Sequence, residues 1–193
     1  YISRREQLRK DVGRGIITIP GNHEAPCNYK DNTYWLRQDS TSLYFFGLQR
    51  EDLVGVLDCE TGKDYIFAND YDIDDIIWTG PLPSVKELAA SVGVENSGDL
   101  KALAAYCQKA VCGARRVHFL PPYRHDIMIQ LMDLTGIHPA KQRQEASLPL
   151  IKAVIDQRAV KSEGEIAEME RACEIGYEMH TTAQRLCAPG ITE

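Results

Sequence analysis

Hydrophobic and polar positions change period several times along the chain, and each change predicts an element. Residues 1–12 are charged, with apolar positions at helical spacing, and Gly13-Arg14-Gly15 ends that helix. Ile16-Ile17-Thr18-Ile19 reads as a β-branched strand stopped by Pro20-Gly21, and the polar stretch that follows, through Asn32, has no period and reads as a long loop. Residues 43–46 and 53–57 are apolar runs of strand length. Residues 64–67 form a third, joined to the second by a turn containing Thr61-Gly62-Lys63, and together the three predict a meander.

Beyond this point helical spacing dominates. Asp70, Asp72 and Asp74 lead into a short helix through Ile73, Ile76 and Ile77, where carboxylates complement the helix dipole. Ser84-Val85-Lys86-Glu87 is a capping box, with Val85, Leu88, Ala89 and Val92 on one face and Gly93 as the stop. Leu100, Leu103, Ala104, Cys107 and Val111 mark the next helix, ended by Gly113. A short strand, Val117-His118-Phe119-Leu120, closes on Pro121-Pro122, and Ile127, Leu131 and Leu134 outline a helix stopped by Gly136. A second capping box at Ser162-Glu165 opens the longest helix, with Ile166, Met169, Cys173, Gly176, His180, Ala183 and Cys187 on the face expected to be buried. Helices interleaved with strands predict an α/β fold, a sheet covered by helices with the meander supplying antiparallel edges.

Composition narrows the function classes. The 193 residues carry 22 Lys+Arg against 28 Asp+Glu, a net charge of -6. That balance argues against nucleic acid and anionic membranes as partners, since Lys and Arg neutralising phosphate dominate such affinities. No apolar run is long enough to span a bilayer, nothing at the start reads as a signal peptide, and a chain that begins at Tyr1 does not show its own N-terminus. The length suits one domain with an appendage. Six cysteines without a C-x-x-C pair, several on apolar helix faces, predict reduced, buried thiols and a cytoplasmic location.

Motifs of known chemistry fail at decisive positions. His23-Glu24 begins like a zinc-binding H-E-x-x-H, but Cys27 stands where the second His belongs and Pro26 forbids the helix. Asp70, Asp72 and Asp74 match the start of a calcium loop, but Asp75 replaces the turn glycine and Pro81 the closing Glu. Gly13-Arg14-Gly15 precedes a strand rather than a helix, so it is a turn and not a dinucleotide fingerprint. His180 reads as a core histidine. Two stretches stand out instead. Asp31 to Ser40 packs aromatics, Arg37 and Asp39 before an apolar run, and Arg37 and Asp39, two apart, share a side in an extended chain where an Arg-carboxylate contact would order the loop. Trp78-Thr79-Gly80-Pro81 places a Trp at a helix end, as a core cap or as an exposed anchor.

Tyr34-x-x-Arg37-Gln38-Asp39-Ser40, Leu43-Tyr44-Phe45-Phe46-Gly47 and Ile77-Trp78-Thr79-Gly80 together resemble the N-terminal domain of Xaa-Pro aminopeptidases (aminopeptidase P). Val160-Lys161-Ser162-x-x-Glu165-Ile166 with Glu170-Arg171-Ala172 is similar to the start of that family's catalytic domain, and Pro189-Gly190-Ile191-Thr192-Glu193 to the end of its first helix. The resemblance implies a creatinase-like N-terminal domain over residues 1–158, a mixed β-sheet flanked by helices. Residues 159–193 would be the linker and first helix of a truncated pita-bread metallopeptidase domain. It implies an enzyme that removes an N-terminal residue preceding proline with two Mn²⁺ held by two Asp, one His and two Glu, all beyond Glu193, so that this chain alone holds no metal, has no catalytic residue and is inactive. It further implies a homo-oligomer, Xaa-Pro peptides as substrates, and a role for this domain in assembly and in shaping a neighbouring subunit's substrate mouth. Trp78 would reach that mouth, with Arg37 and Asp39 as secondary candidates. A stand-alone creatinase-like interaction module and the N-terminal domain of a prolidase or creatinase remain as alternatives.

Overall fold

The computed structural model describes residues 1–192; Glu193, the end of the last motif above, lies outside the described residues. The chain divides into two compact units, Tyr1–Ile155 and Asp156–Glu193.

In the first unit, helix α1 (Ile2–Val12) leads into strand β1 (Ile16–Pro20), and the long loop expected after it contains a small hairpin, β2 (Pro26–Tyr29) and β3 (Asn32–Thr33). The next element corrects the sequence expectation. Residues 43–46 are not a strand but the end of helix α2 (Ser40–Phe46). Asp39 is the physical reason: its carboxylate accepts from the backbone N–H groups of Thr41 and Ser42, and Gly47 closes the helix in the left-handed conformation, so two caps override the strand preference of an aromatic run. Strands β4 (Val54–Asp58) and β5 (Asp64–Phe67) follow as expected, and the meander is completed by β1 instead of residues 43–46. Then come α3 (Ile73–Thr79), α4 (Val85–Ser91) on its capping box at Ser84, the short β6 (Asn96–Gly98), α5 (Leu100–Cys112), β7 (Val117–His118) and α6 (His125–Thr135). Sequence reading did not separate α7 (Pro139–Glu145) and α8 (Leu148–Ala159), whose apolar residues are few or lack a clean period.

The five-stranded sheet has the order β6-β5-β4-β1-β7, with β4 antiparallel to both neighbours and the outer pairs parallel. Both faces are covered, and the alternation of each strand sorts its side chains between them. Ile17, Ile19, Leu57 and Ile66 join Leu8, Phe45, Ala89 and Leu150 in one core; Ile16, Val54, Val56 and Phe67 join Leu103, Cys107 and Leu134 in the other. A polar pin crosses the start of the sheet. His118 is buried, with Nε2 2.9 Å from the Arg14 carbonyl and Nδ1 2.6 Å from Ser147 Oγ. A carbonyl only accepts, so Nε2 carries the hydrogen and Nδ1 accepts from the serine.

Burial outweighs the Arg14 contact and lowers the His118 pKa, so the folded state holds this ring neutral. A group whose folded pKa lies below its unfolded value contributes stability that is complete above about pH 6.5 and is lost as pH falls from there toward the folded pKa. Urea midpoints of the wild type should fall more between pH 7.5 and 5.5 than those of His118→Gln; parallel pH profiles would contradict this.

The second unit is the end of α8 followed by α9 (Glu163–Leu186), opened by the expected capping box at Ser162. Here two expectations change. None of the α9 residues is buried, so His180 is exposed rather than in a core, because nothing within its own unit covers its apolar face. All six cysteines are free, but only Cys107 is buried; Cys59 is half-buried, while Cys27, Cys112, Cys173 and Cys187 are exposed.

Candidate functional site

Because β4 alone runs against the other strands, the carboxyl ends of β1, β5, β6 and β7 and the amino end of β4 lie along one edge of the sheet. This edge is where ligands gather in open α/β sheets, since the connecting loops there are free to vary. The connection after β1 carries Arg37 and Asp39, and the connection after β5 carries Trp78 on α3.

Gln38 organises the edge. It is buried, and its side chain takes N–H bonds from Asn22 and Asp39, both 2.7 Å, while donating to the Arg50 carbonyl. One amide thus ties the loop after β1, the start of α2 and the loop before β4. Gly21 makes room for it: a Cβ there would lie 2.8 Å from Gln38 Oε1 and 2.9 Å from the Leu53 carbonyl oxygen. Asp39 caps α2 with Oδ1 and accepts from the Tyr123 hydroxyl with Oδ2 at 3.1 Å. Arg37 contributes its carbonyl to Asn22 Nδ2, and its side chain is exposed. The expected Arg37–Asp39 contact is absent: no ion pair joins them among the described residues, because the cap turns the Asp39 carboxylate onto the helix end. The motif at residues 37–40 is therefore loop architecture, with Gln38, which sequence reasoning passed over, as its anchor.

Around this anchor the rim is braced by charge. Arg124 forms a forked pair with Asp126 and donates to the His23 carbonyl. His23 pairs with Asp52, and the Asp52 hydrogen bond raises the His23 pKa against the opposing effect of burial. Beneath the rim lies a cleft of about 320 Å³ with apolar walls from Leu120, Pro121, Ile127, Leu131, Ile151 and Val154, and with Asn22, Asp39 and Tyr123 at its polar side. Sequence periodicity did not reveal this cleft, since its walls come from elements 100 residues and more apart.

Farther along the edge, α3 presents a different surface. Asp72 and Asp75 form a capping box at its start, as the acidic run suggested, yet none of its residues is buried. Trp78 is 89% exposed, and Ile73 and Ile77 are exposed beside it, so Trp78 is not a core cap. Trp35, in the loop after β3, is 93% exposed. No group of three or more His, Cys, Asp or Glu is placed to hold a metal ion among the described residues.

Residues 1–118 match the family model of the aminopeptidase P N-terminal domain. No curated protein matches the chain. Among solved structures it is similar to aminopeptidase PepP of Pseudomonas aeruginosa, at 24% identity and a TM-score of 0.76 over 98% of this chain and 44% of that one. It is also similar to zinc-substituted Escherichia coli aminopeptidase P in complex with product (22% identity, TM-score 0.77, 100% and 47% covered) and to proline aminopeptidase P II of Yersinia pestis (21%, 0.78, 99% and 46%). The chain thus spans less than half the length of these relatives. The mixed sheet flanked by helices is the creatinase-like N-terminal fold they share, and with the family model covering more than half of its residues, the chain belongs to the aminopeptidase P N-terminal domain family.

Proposed function

We propose that this chain is the N-terminal, non-catalytic part of an Xaa-Pro aminopeptidase, a hydrolase that removes an N-terminal residue preceding proline. The observation that carries this reading is the family match over residues 1–118 in a chain that spans less than half of each relative. In this reading residues 159–193 are the linker and first helix of the metallopeptidase domain, and that domain holds two Mn²⁺, which activate water for attack on the scissile carbonyl. In this reading the ligands of those ions lie in that domain, and residues 1–158 contribute no step of the chemistry.

What the domain contributes is contact in a homo-oligomer of the cytoplasm. Trp78, with Ile73 and Ile77 beside it, covers the substrate mouth of a neighbouring subunit and meets the part of a peptide beyond the proline. Arg37, exposed on the loop anchored by Gln38, is the second candidate for such contact, and Asp39, engaged in capping α2, is the third and acts by holding that loop.

In the full-length enzyme, Trp78→Ala should lower kcat/KM on peptides longer than a dipeptide about tenfold, the scale of one aromatic anchor, and change Xaa-Pro dipeptide cleavage by less than about twofold. Equal losses on both substrates would remove Trp78 from the mouth. The isolated chain should release no amino acid from an Xaa-Pro peptide with Mn²⁺ added; release would overturn its assignment as the non-catalytic part.

A further inference from the structure

The cleft beneath the rim has a property that apolar packing does not explain: three oxygen acceptors converge on its polar side with capacity to spare. Asn22 is only 6% exposed, and its amide orientation is set by Nδ2, which donates to the Arg37 carbonyl at 2.7 Å. Oδ1 is then left with the Tyr123 hydroxyl at 3.5 Å, the outer limit of a hydrogen bond. Tyr123 gives its single hydrogen to Asp39 Oδ2 at 3.1 Å, which leaves its own oxygen free to accept. Asp39 Oδ1 is spent on the Thr41 and Ser42 N–H groups, but Oδ2 receives only that tyrosine, and no cation pairs with Asp39 among the described residues. Arg124 also lines the cleft, but its guanidinium is neutralised by its forked pair with Asp126, so the cleft keeps one uncompensated carboxylate.

Three convergent acceptors, one of them anionic, match the three N–H donors of a primary ammonium group. The adjoining walls of Leu120, Ile127, Leu131 and Val154 match an alkyl or aryl body, and about 320 Å³ lies at the small end of ligand pockets. From this charge and shape complementarity we propose that the cleft at the carboxyl end of β1 and β7 binds a small primary amine with an apolar body, its ammonium held by Asp39 Oδ2, Asn22 Oδ1 and Tyr123 Oη. The site lies wholly within the first unit and does not depend on the peptidase reading or on Trp78.

The test is a methyl NMR titration of the 193-residue chain with n-hexylammonium, n-hexanoate and the tripeptide Leu-Gly-Gly. Hexylammonium should shift the Leu120, Ile127 and Val154 methyl signals saturably, and hexanoate should bind at least about tenfold more weakly, since it carries the same charge as the Asp39 carboxylate. Asp39→Asn keeps the α2 cap, since Asn caps as well as Asp, and should weaken the amine at least about tenfold. Tyr123→Phe, which keeps the ring and removes one acceptor, should weaken it about threefold or more. Equal binding of hexanoate, unchanged affinity in Asp39→Asn, or no saturable shift of these methyls would overturn the proposal. Tighter binding of Leu-Gly-Gly than of hexylammonium would overturn it in this form, by replacing a small amine with a peptide N-terminus.

Discussion

Replacing Arg5 by Leu is expected to cost about 3–5 kcal/mol of folding stability, the scale for removing one partner of a buried charged network. Arg5 is 0% exposed, and its guanidinium has no surplus donor that reaches water. Nε donates to Asp64 at 2.8 Å, Nη1 to the Phe45 carbonyl at 3.0 Å, and Nη2 to the Val92 and Gly93 carbonyls at 2.9 and 3.2 Å. One side chain of α1 thus serves the ends of α2 and α4, whose last carbonyls have no partner within their own helices. Leucine fills the volume but strands those carbonyls and leaves Asp64 to Arg9 alone. Arg5→Lys should recover little, because a point charge cannot reproduce the planar fork. Urea denaturation of the two variants against wild type checks this, and a loss below about 1 kcal/mol for Arg5→Leu would show that the network is dispensable.

Asp58→Asn is expected to be nearly as damaging, by about 3 kcal/mol, and to change the acid response as well. Asp58 is 1% exposed and accepts from Tyr106 at 2.5 Å, Arg115 at 2.6 Å, and the N–H groups of Glu60 and Thr61 at 3.0 Å. Burial pushes its pKa up, but Arg115, Tyr106 and the Thr61 N–H together outweigh burial and hold the carboxyl well below the usual carboxylate range. A depressed folded pKa means stability that is complete above the unfolded value, near 3.9, and is lost as pH falls below it. Wild type should therefore lose stability steeply below about pH 4, and Asp58→Asn, already lacking this contribution, should lose less there. Identical acid limbs in the two proteins would assign the acid sensitivity elsewhere.

Much of the first unit was legible because local signals agreed with the fold. Ser84 announced its helix through a capping box, as Ser162 did in the second unit, and the apolar runs at residues 16–19, 53–57 and 64–67 were those of a sheet covered on both faces. Residues 43–46 misled because an aromatic run carries strand preference, whereas the deciding groups, Asp39 and Gly47, flank the run. The α9 face misled for the opposite reason: its period is that of a buried helix, but within its own unit nothing covers it. At the site, the motif at residues 37–40 was visible as a motif, yet its working residue, Gln38, acts through Asn22 and Arg50, which no spacing rule connects to it. The cleft was not legible at all, since residues 22, 39, 123 and 154 meet only once the sheet is assembled.

The strand order also constrains when the unit can complete itself during synthesis. β1 is made before both of its partners: one edge waits for β4, about 40 residues later, and the other for β7, about 100 residues later. α1 is held back in the same way, because the carbonyls that Arg5 binds at Val92 and Gly93 do not yet exist when the first strands emerge. With chain growth running from the N-terminus, the early apolar strand Ile16–Pro20 stays unpaired on a nascent chain until its distant partners arrive. A domain wired in this order cannot complete its sheet until β7 has been made, about 100 residues after β1, so its first strand depends on the chain's continued growth for its last partner.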